Sequence, residues 1–143
     1  MLPAEFLRRL PALVRPLLPE SLQGFTALPR GHLCKLWYGS DGRVHYEIWA
    51  HENTRQLELG LHFEAEPTRN ESLRRAFAQH LIELKTTLGP GVEVEPWDRG
   101  WARVYETHPL FPLTEARLAD FGARTAQFIA AVQPLYAAVT QGD

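Results

Sequence analysis

Cysteine is nearly absent. Cys34 is the one cysteine in 143 residues, which excludes an internal disulfide framework and any multi-cysteine zinc site. No apolar run approaches the roughly 18 residues that a membrane-spanning helix needs. The amino terminus lacks the unbroken apolar stretch of a signal peptide, because Glu5, Arg8 and Arg9 interrupt it. Neither sign of charge dominates: 15 Lys plus Arg stand against 17 Asp plus Glu, for a net charge of -2 and a pI near 6.3. That balance argues against a protein whose main task is gripping duplex DNA by its phosphates. Lysine is scarce, and the arginines are spread along the chain among acids. A glycine-rich phosphate loop is missing, since Gly89-Pro90-Gly91 lacks both the spacing and the lysine, and there is no G-x-S-x-G elbow. What remains is the expectation of a soluble, cytoplasmic protein with no membrane partner. With 45% hydrophobic residues, a chain of this length fills one core and not two.

The pattern predicts a single domain over 1–143. Residues 1–30 form a proline-interrupted helical segment, in which Phe6, Leu7, Leu10, Leu13, Val14, Leu17 and Leu18 recur at helical spacing around Pro11 and Pro16. A broken helix from about 3 to 18 and a connector from Glu20 to Gly31 are expected. Residues 31–143 form an α+β core. Leu33 to Tyr38, Arg43 to Ala50 and Arg55 to Glu64 read as strands, the last two by clean apolar–polar alternation. A helix capped by Asn70 or Thr68 carries Leu73, Phe77, Leu81, Leu84 and Leu88 as one stripe and ends at Gly89-Pro90. A hairpin with its turn at Asp98-Arg99-Gly100 follows, then a helix from Leu113-Thr114-Glu115 to about Val139. The order helix-β-β-β-helix-β-β-helix implies a five-stranded, mostly antiparallel sheet with helices on one face.

Alternation assigns every strand residue to a face. Val44, Tyr46, Ile48, Leu57, Leu59, Leu61 and Val104 fall on the apolar side, with Cys34 and Leu36. The opposite side receives Trp37, Trp49, Trp97 and Trp101, which are all 4 tryptophans, together with Tyr105, Lys35, Arg43 and Arg103. A three-residue loop at Ser40 to Gly42, with the glycine left-handed as in the second hairpin, places Lys35 opposite Glu47. A four-residue loop at His51 to Thr54 places Trp49 opposite Gln56 and Glu47 opposite Glu58. Indoles on the order of 200 Å² each are poorly placed in water, so something should cover them. Three coverings compete: the N-terminal helix, a protein partner or second copy of the chain, and single-stranded nucleic acid stacking on the rings. Glu47, Glu58, Glu64, Glu93 and Glu95 share the face and repel a polyanion. The protein partner or homodimer ranks first.

Catalytic candidates on that face are His45, Glu47, Glu58 and His62, an acid/base or metal constellation. In the expected register the two histidines lie on either side of Gly60 and do not converge. No catalytic residue, metal or cofactor is therefore assigned. Cys34 points into the core, where a thiol is inert.

From Gly42 to about Ala137 the layout resembles DUF4268-type domains of bacteria. The residues that carry the resemblance are Gln56-Leu57-Glu58-Leu59-Gly60-Leu61-His62-Phe63, Asn70, Ile82-Glu83-Leu84-Lys85 through Leu88-Gly89, Val92-Glu93-Val94-Glu95-Pro96-Trp97 and Ala102-Arg103-Val104. The resemblance implies company with DNA restriction or modification systems and supplies no catalytic residue. The expected function is thus a non-catalytic binding module using its Trp-rich sheet face for a protein partner or itself. The alternative is an accessory protein that binds nucleic acid on the same face.

Overall fold

The computed structural model describes residues 1–141. Its strands are β1 (Thr26–Arg30), β2 (Leu33–Trp37), β3 (Val44–His51), β4 (Gln56–Phe63), β5 (Glu93–Pro96) and β6 (Ala102–Pro109). Its helices are α1 (Pro3–Val14), α2 (Pro67–Gln79), α3 (Leu81–Leu88) and α4 (Glu115–Thr140). The strands make one antiparallel sheet of 6 strands in the order β1-β2-β3-β4-β6-β5. The α+β class and the antiparallel sheet agree with the sequence pattern, but the expected sheet of five strands is one strand short. The extra strand is β1, inside the expected connector. It shows no alternation because it is an edge strand exposed along nearly its whole length. Gly31, in the left-handed region at φ 58°, turns the chain from β1 into β2.

The helices pack on the face that carries Tyr46, Ile48, Leu59, Leu61 and Val104, forming one continuous core. α1 runs against α4, β1 and β2. Phe6 meets Phe121 with ring centroids 6.0 Å apart, and Gly122 lets α4 approach so closely that an added Cβ would stand 3.2 Å from Leu13 Cβ. Tyr46 donates its hydroxyl to Gln133 Oε1 at 2.8 Å, fixing α4 over the centre of the sheet. Thr114 caps α4 by accepting from Arg117 N.

Several local expectations are corrected. The first helix passes through Pro11 without breaking and ends at Val14, followed by a 3-10 turn at Arg15–Leu17. The single helix expected between the strands is two, because the backbone leaves helical geometry at His80 (φ -106°, ψ 12°). Neither Asn70 nor Thr68 caps α2: Glu66 is the cap residue and Pro67 opens the helix. Asn70 is buried inside α2, where its side chain bonds both the N–H and the carbonyl of Ala65 and reaches Gly100 O at 3.0 Å. It ties the start of α2 to the β5–β6 turn. In the first hairpin the left-handed glycine is Gly39, not Gly42.

The register of β3 against β4 differs from expectation by two residues. Trp49 faces Glu58, Glu47 faces Gly60 and His45 faces His62. The chain turns through Glu52 to Arg55, with Arg55 itself left-handed at φ 56°. A slip of two preserves every residue's face, so the hydrophobic pattern cannot detect it.

Two features yield predictions. Gly60 sits where an added Cβ would lie 2.8 Å from Tyr105 Cβ and 2.9 Å from Val104 O. Gly60→Ala should cost about 1–3 kcal/mol in urea unfolding, and an unchanged midpoint would contradict this packing. Glu106, buried on β6, accepts from Arg124 of α4 at 2.7 Å and also bonds His108. Burial pushes its pKa up, but the bonds to His108 and Arg124 outweigh that and hold the carboxyl below its ordinary value. The stabilisation is therefore present above pH about 4.5 and lost as pH falls through the depressed pKa. Glu106→Gln should flatten the acid limb of the stability–pH curve; an unaltered limb would mean that this ion pair does not set it.

Candidate functional site

β3, β4 and β6 together present the second face of the sheet. Alternation brings His45 and Glu47 from β3, Glu58 and His62 from β4, and Arg103 from β6 onto it, and all five are buried. The register decides what they do. With His45 facing His62, the imidazoles stack at 5.8 Å between centroids and 16° between planes. The two histidines converge after all, contrary to the expectation that Gly60 separates them.

Three carboxylates close around these rings. His62 Nε2 lies 2.7 Å from Glu58 Oε2 and 3.7 Å from Glu47 Oε2, and His62 Nδ1 is 3.5 Å from Glu64 Oε2. His45 Nε2 lies 3.2 Å from Glu47 Oε1 and 3.6 Å from Glu64 Oε2. His45 Nδ1 is 2.9 Å from Gly42 O. A carbonyl only accepts, so Nδ1 carries the proton. Arg103 donates to Glu58 Oε1 and, through Nε at 2.9 Å, to Glu95 Oε1. His51 Nε2, at 3.2 Å, also meets Glu58.

Burial disfavours the His62 imidazolium, but bonds to Glu58 and Glu64 and the charges of Glu47 and Glu58 prevail and raise its pKa to about 9. Burial likewise disfavours ionised Glu58 and Glu64, and their bonds to His62 reverse the sign and keep both pKa values below the ordinary carboxylate value. His45, Glu47, His62 and Glu64 each offer one ligand atom, all within 4.8 Å of one another, close enough together to hold a metal ion.

Aromatic side chains wall the cluster. The Arg103 guanidinium lies between the rings of Trp97 and Tyr105, 3.7 Å and 3.9 Å from their centroids. Trp49 leans on His51 at 3.9 Å. Two clefts open beside Trp97. One of about 360 Å³ is bordered by Lys35, Glu47, Trp49, His62, Glu64 and Trp101. The other, about 370 Å³, is bordered by His51, Glu58, Glu93, Arg103, Tyr105 and Thr107. All four indoles and Tyr105 remain partly exposed.

The structure gathers most of the residues that the sequence singled out, and leaves two aside. Trp37 turns toward the first hairpin turn, its indole 3.4 Å from where a Cβ on Gly42 would be, and borders neither cleft. Arg43 is held by Asp41 at 2.9 Å and Glu66 at 2.7 Å, away from the aromatic walls. Lys35 stands opposite Glu47, as expected. Glu64, Glu95 and His51 were not counted in the site, although the alternation that marks Glu58 and His62 continues into Glu64. The N-terminal helix does not cover this face, since α1 is committed to α4 on the other side. Cys34 is buried in the core, which pushes its thiol pKa up to about 12.

Glu58 is the hub, bonded to His62, His51 and Arg103. Glu58→Gln should destabilise by about 3 kcal/mol, as expected for breaking a buried charge network, whereas Glu95→Gln at the half-exposed end should cost under about 1 kcal/mol. Equal losses in chemical denaturation would remove Glu58 from that position. Comparisons with protein-family models, with curated proteins and with solved structures return no match.

Proposed function

We propose that this chain is a non-catalytic binding module whose aromatic sheet face docks a protein partner that presents basic side chains. The observation that carries the reading is the set Trp49, Trp97, Trp101 and Tyr105, partly exposed on the face opposite the helices. Large rings concentrated on one surface mark interface hot spots. Carboxylates of Glu47, Glu58, Glu64 and Glu93 border the clefts beside the rings and favour cationic groups. The molecule already contains the contact it would offer: Arg103 stacks between Trp97 and Tyr105, and Arg99 approaches Trp101 at 5.4 Å. Docking onto the face is favoured over strand addition, because both edge strands carry a proline, Pro29 in β1 and Pro96 in β5.

Nucleic acid, suggested by the resemblance of residues 42–137 to DUF4268-type domains, is disfavoured by the same carboxylates. A second copy of the chain is the other protein occupant.

Indole emission tests the proposal. An arginine-rich peptide should shift or quench the emission with an affinity that falls as salt rises, and Trp49→Ala together with Trp101→Ala should abolish the response. No response in a protein that light scattering shows to be monomeric overturns the reading. A shift that follows protein concentration assigns the face to self-association. Quenching by a single-stranded oligonucleotide but not by the peptide transfers it to nucleic acid.

A further inference from the structure

We infer that His45, Glu47, His62 and Glu64 form a binding site for one divalent transition-metal cation such as Zn2+, with Glu58 and the Gly42 carbonyl orienting the two imidazoles. The inference does not rest on the docking reading, although Glu47 and Glu64 border the cleft that reading uses.

Three observations carry the inference. First, each histidine has one nitrogen held by an acceptor and the other turned to the carboxylates. His45 Nδ1–H donates to Gly42 O at 2.9 Å, so its Nε2 faces Glu47 at 3.2 Å and Glu64 at 3.6 Å. His62 Nε2–H donates to Glu58 Oε2 at 2.7 Å, and its Nδ1 faces Glu64 at 3.5 Å. Metal-binding histidines are oriented in this way, by a carbonyl or carboxylate on the nitrogen remote from the ion. Secondly, the two nitrogens not held by Gly42 and Glu58, His45 Nε2 and His62 Nδ1, both turn toward Glu64, and His45 Nε2 also toward Glu47. A cation at that point bonds all four ligands, displaces any proton shared between an imidazole and a carboxylate, and matches the two negative charges of Glu47 and Glu64. Thirdly, the spacing is close to that of a metal site, with all four ligand atoms within 4.8 Å of one another. With metal–ligand bonds of about 2.1 Å, ligand atoms at the corners of a tetrahedron stand about 3.4 Å apart, and the separations just given between the imidazole nitrogens and Glu47 or Glu64 bracket that value.

Two imidazoles with two carboxylates suit zinc, manganese or iron rather than magnesium or calcium, which prefer all-oxygen shells. Access is provided for, since Glu47, His62 and Glu64 border the cleft of about 360 Å³. Glu58, which the sequence pattern grouped with the candidate ligands, becomes a positioning residue instead, occupied by His62 Nε2 and Arg103.

The test is a titration of the full chain, stripped with chelator, by Zn2+ in a calorimeter and by Co2+ in the visible spectrum. One Zn2+ per chain is expected, with the intense d–d bands of four-coordinate cobalt, no response to Mg2+, and a higher melting temperature with Zn2+. His45→Gln and Glu64→Gln should each weaken Zn2+ at least about tenfold. Glu64 is partly exposed, so its variant keeps a folded comparison should His45→Gln fail to fold. His32→Gln, at an exposed histidine outside the set, should bind Zn2+ as the parent does. The absence of stoichiometric binding overturns the inference. So does binding that Glu64→Gln leaves intact, because Glu64 is then not a ligand of the ion.

Discussion

Charge closure on the unhelical face of the sheet is the constraint on which the rest depends. β3, β4 and β6 each spend one side of their alternation on the apolar core, so the other side must accommodate His45, Glu47, Glu58, His62 and Arg103 on adjacent strands. Unpaired, each of these buried groups would be costly. They are tolerated because every one bonds to another: carboxylates alternate with imidazoles and a guanidinium across β3, β4 and β6. Gly60, at the centre, leaves the space into which Tyr105 leans.

The aromatic rings and the ionic cluster are one construction. Trp97 and Tyr105 sandwich Arg103 and so shield its bonds to Glu58 and Glu95 from water. Trp49 and Trp101 border the cleft above Glu47, His62 and Glu64. Lowered local polarity strengthens the attraction between opposite charges beneath, while the outer surface of the same rings is left for a partner. The docking reading concerns that outer surface together with the carboxylates bordering its clefts, and the metal reading concerns Glu47 and Glu64 among them.

Hydrophobic spacing made much of this legible. Alternation placed all four indoles and the candidate His and Glu residues on one face, and the β2–β3 and β5–β6 registers followed from the turns at Gly39-Ser40-Asp41-Gly42 and Asp98-Arg99-Gly100. β1 escaped notice because an exposed edge strand has no apolar face to repeat. The break at His80 was hidden because Phe77, Leu81, Leu84 and Leu88 keep helical spacing across it. Asn70 looked like a cap from its residue type, yet its amide bridges Ala65 and Gly100, thirty residues away along the chain.

The face of each strand residue was determined by sequence alone, because side chains alternate with a period of two and only one phase hides the aliphatic residues. Which residues meet across the strands was decided by tertiary structure, since shifts of two leave that phase untouched. Arg55, taking a left-handed conformation at the end of the β3–β4 turn, sets the pairing of His45 with His62. That single choice of register turns scattered histidines and glutamates into a site.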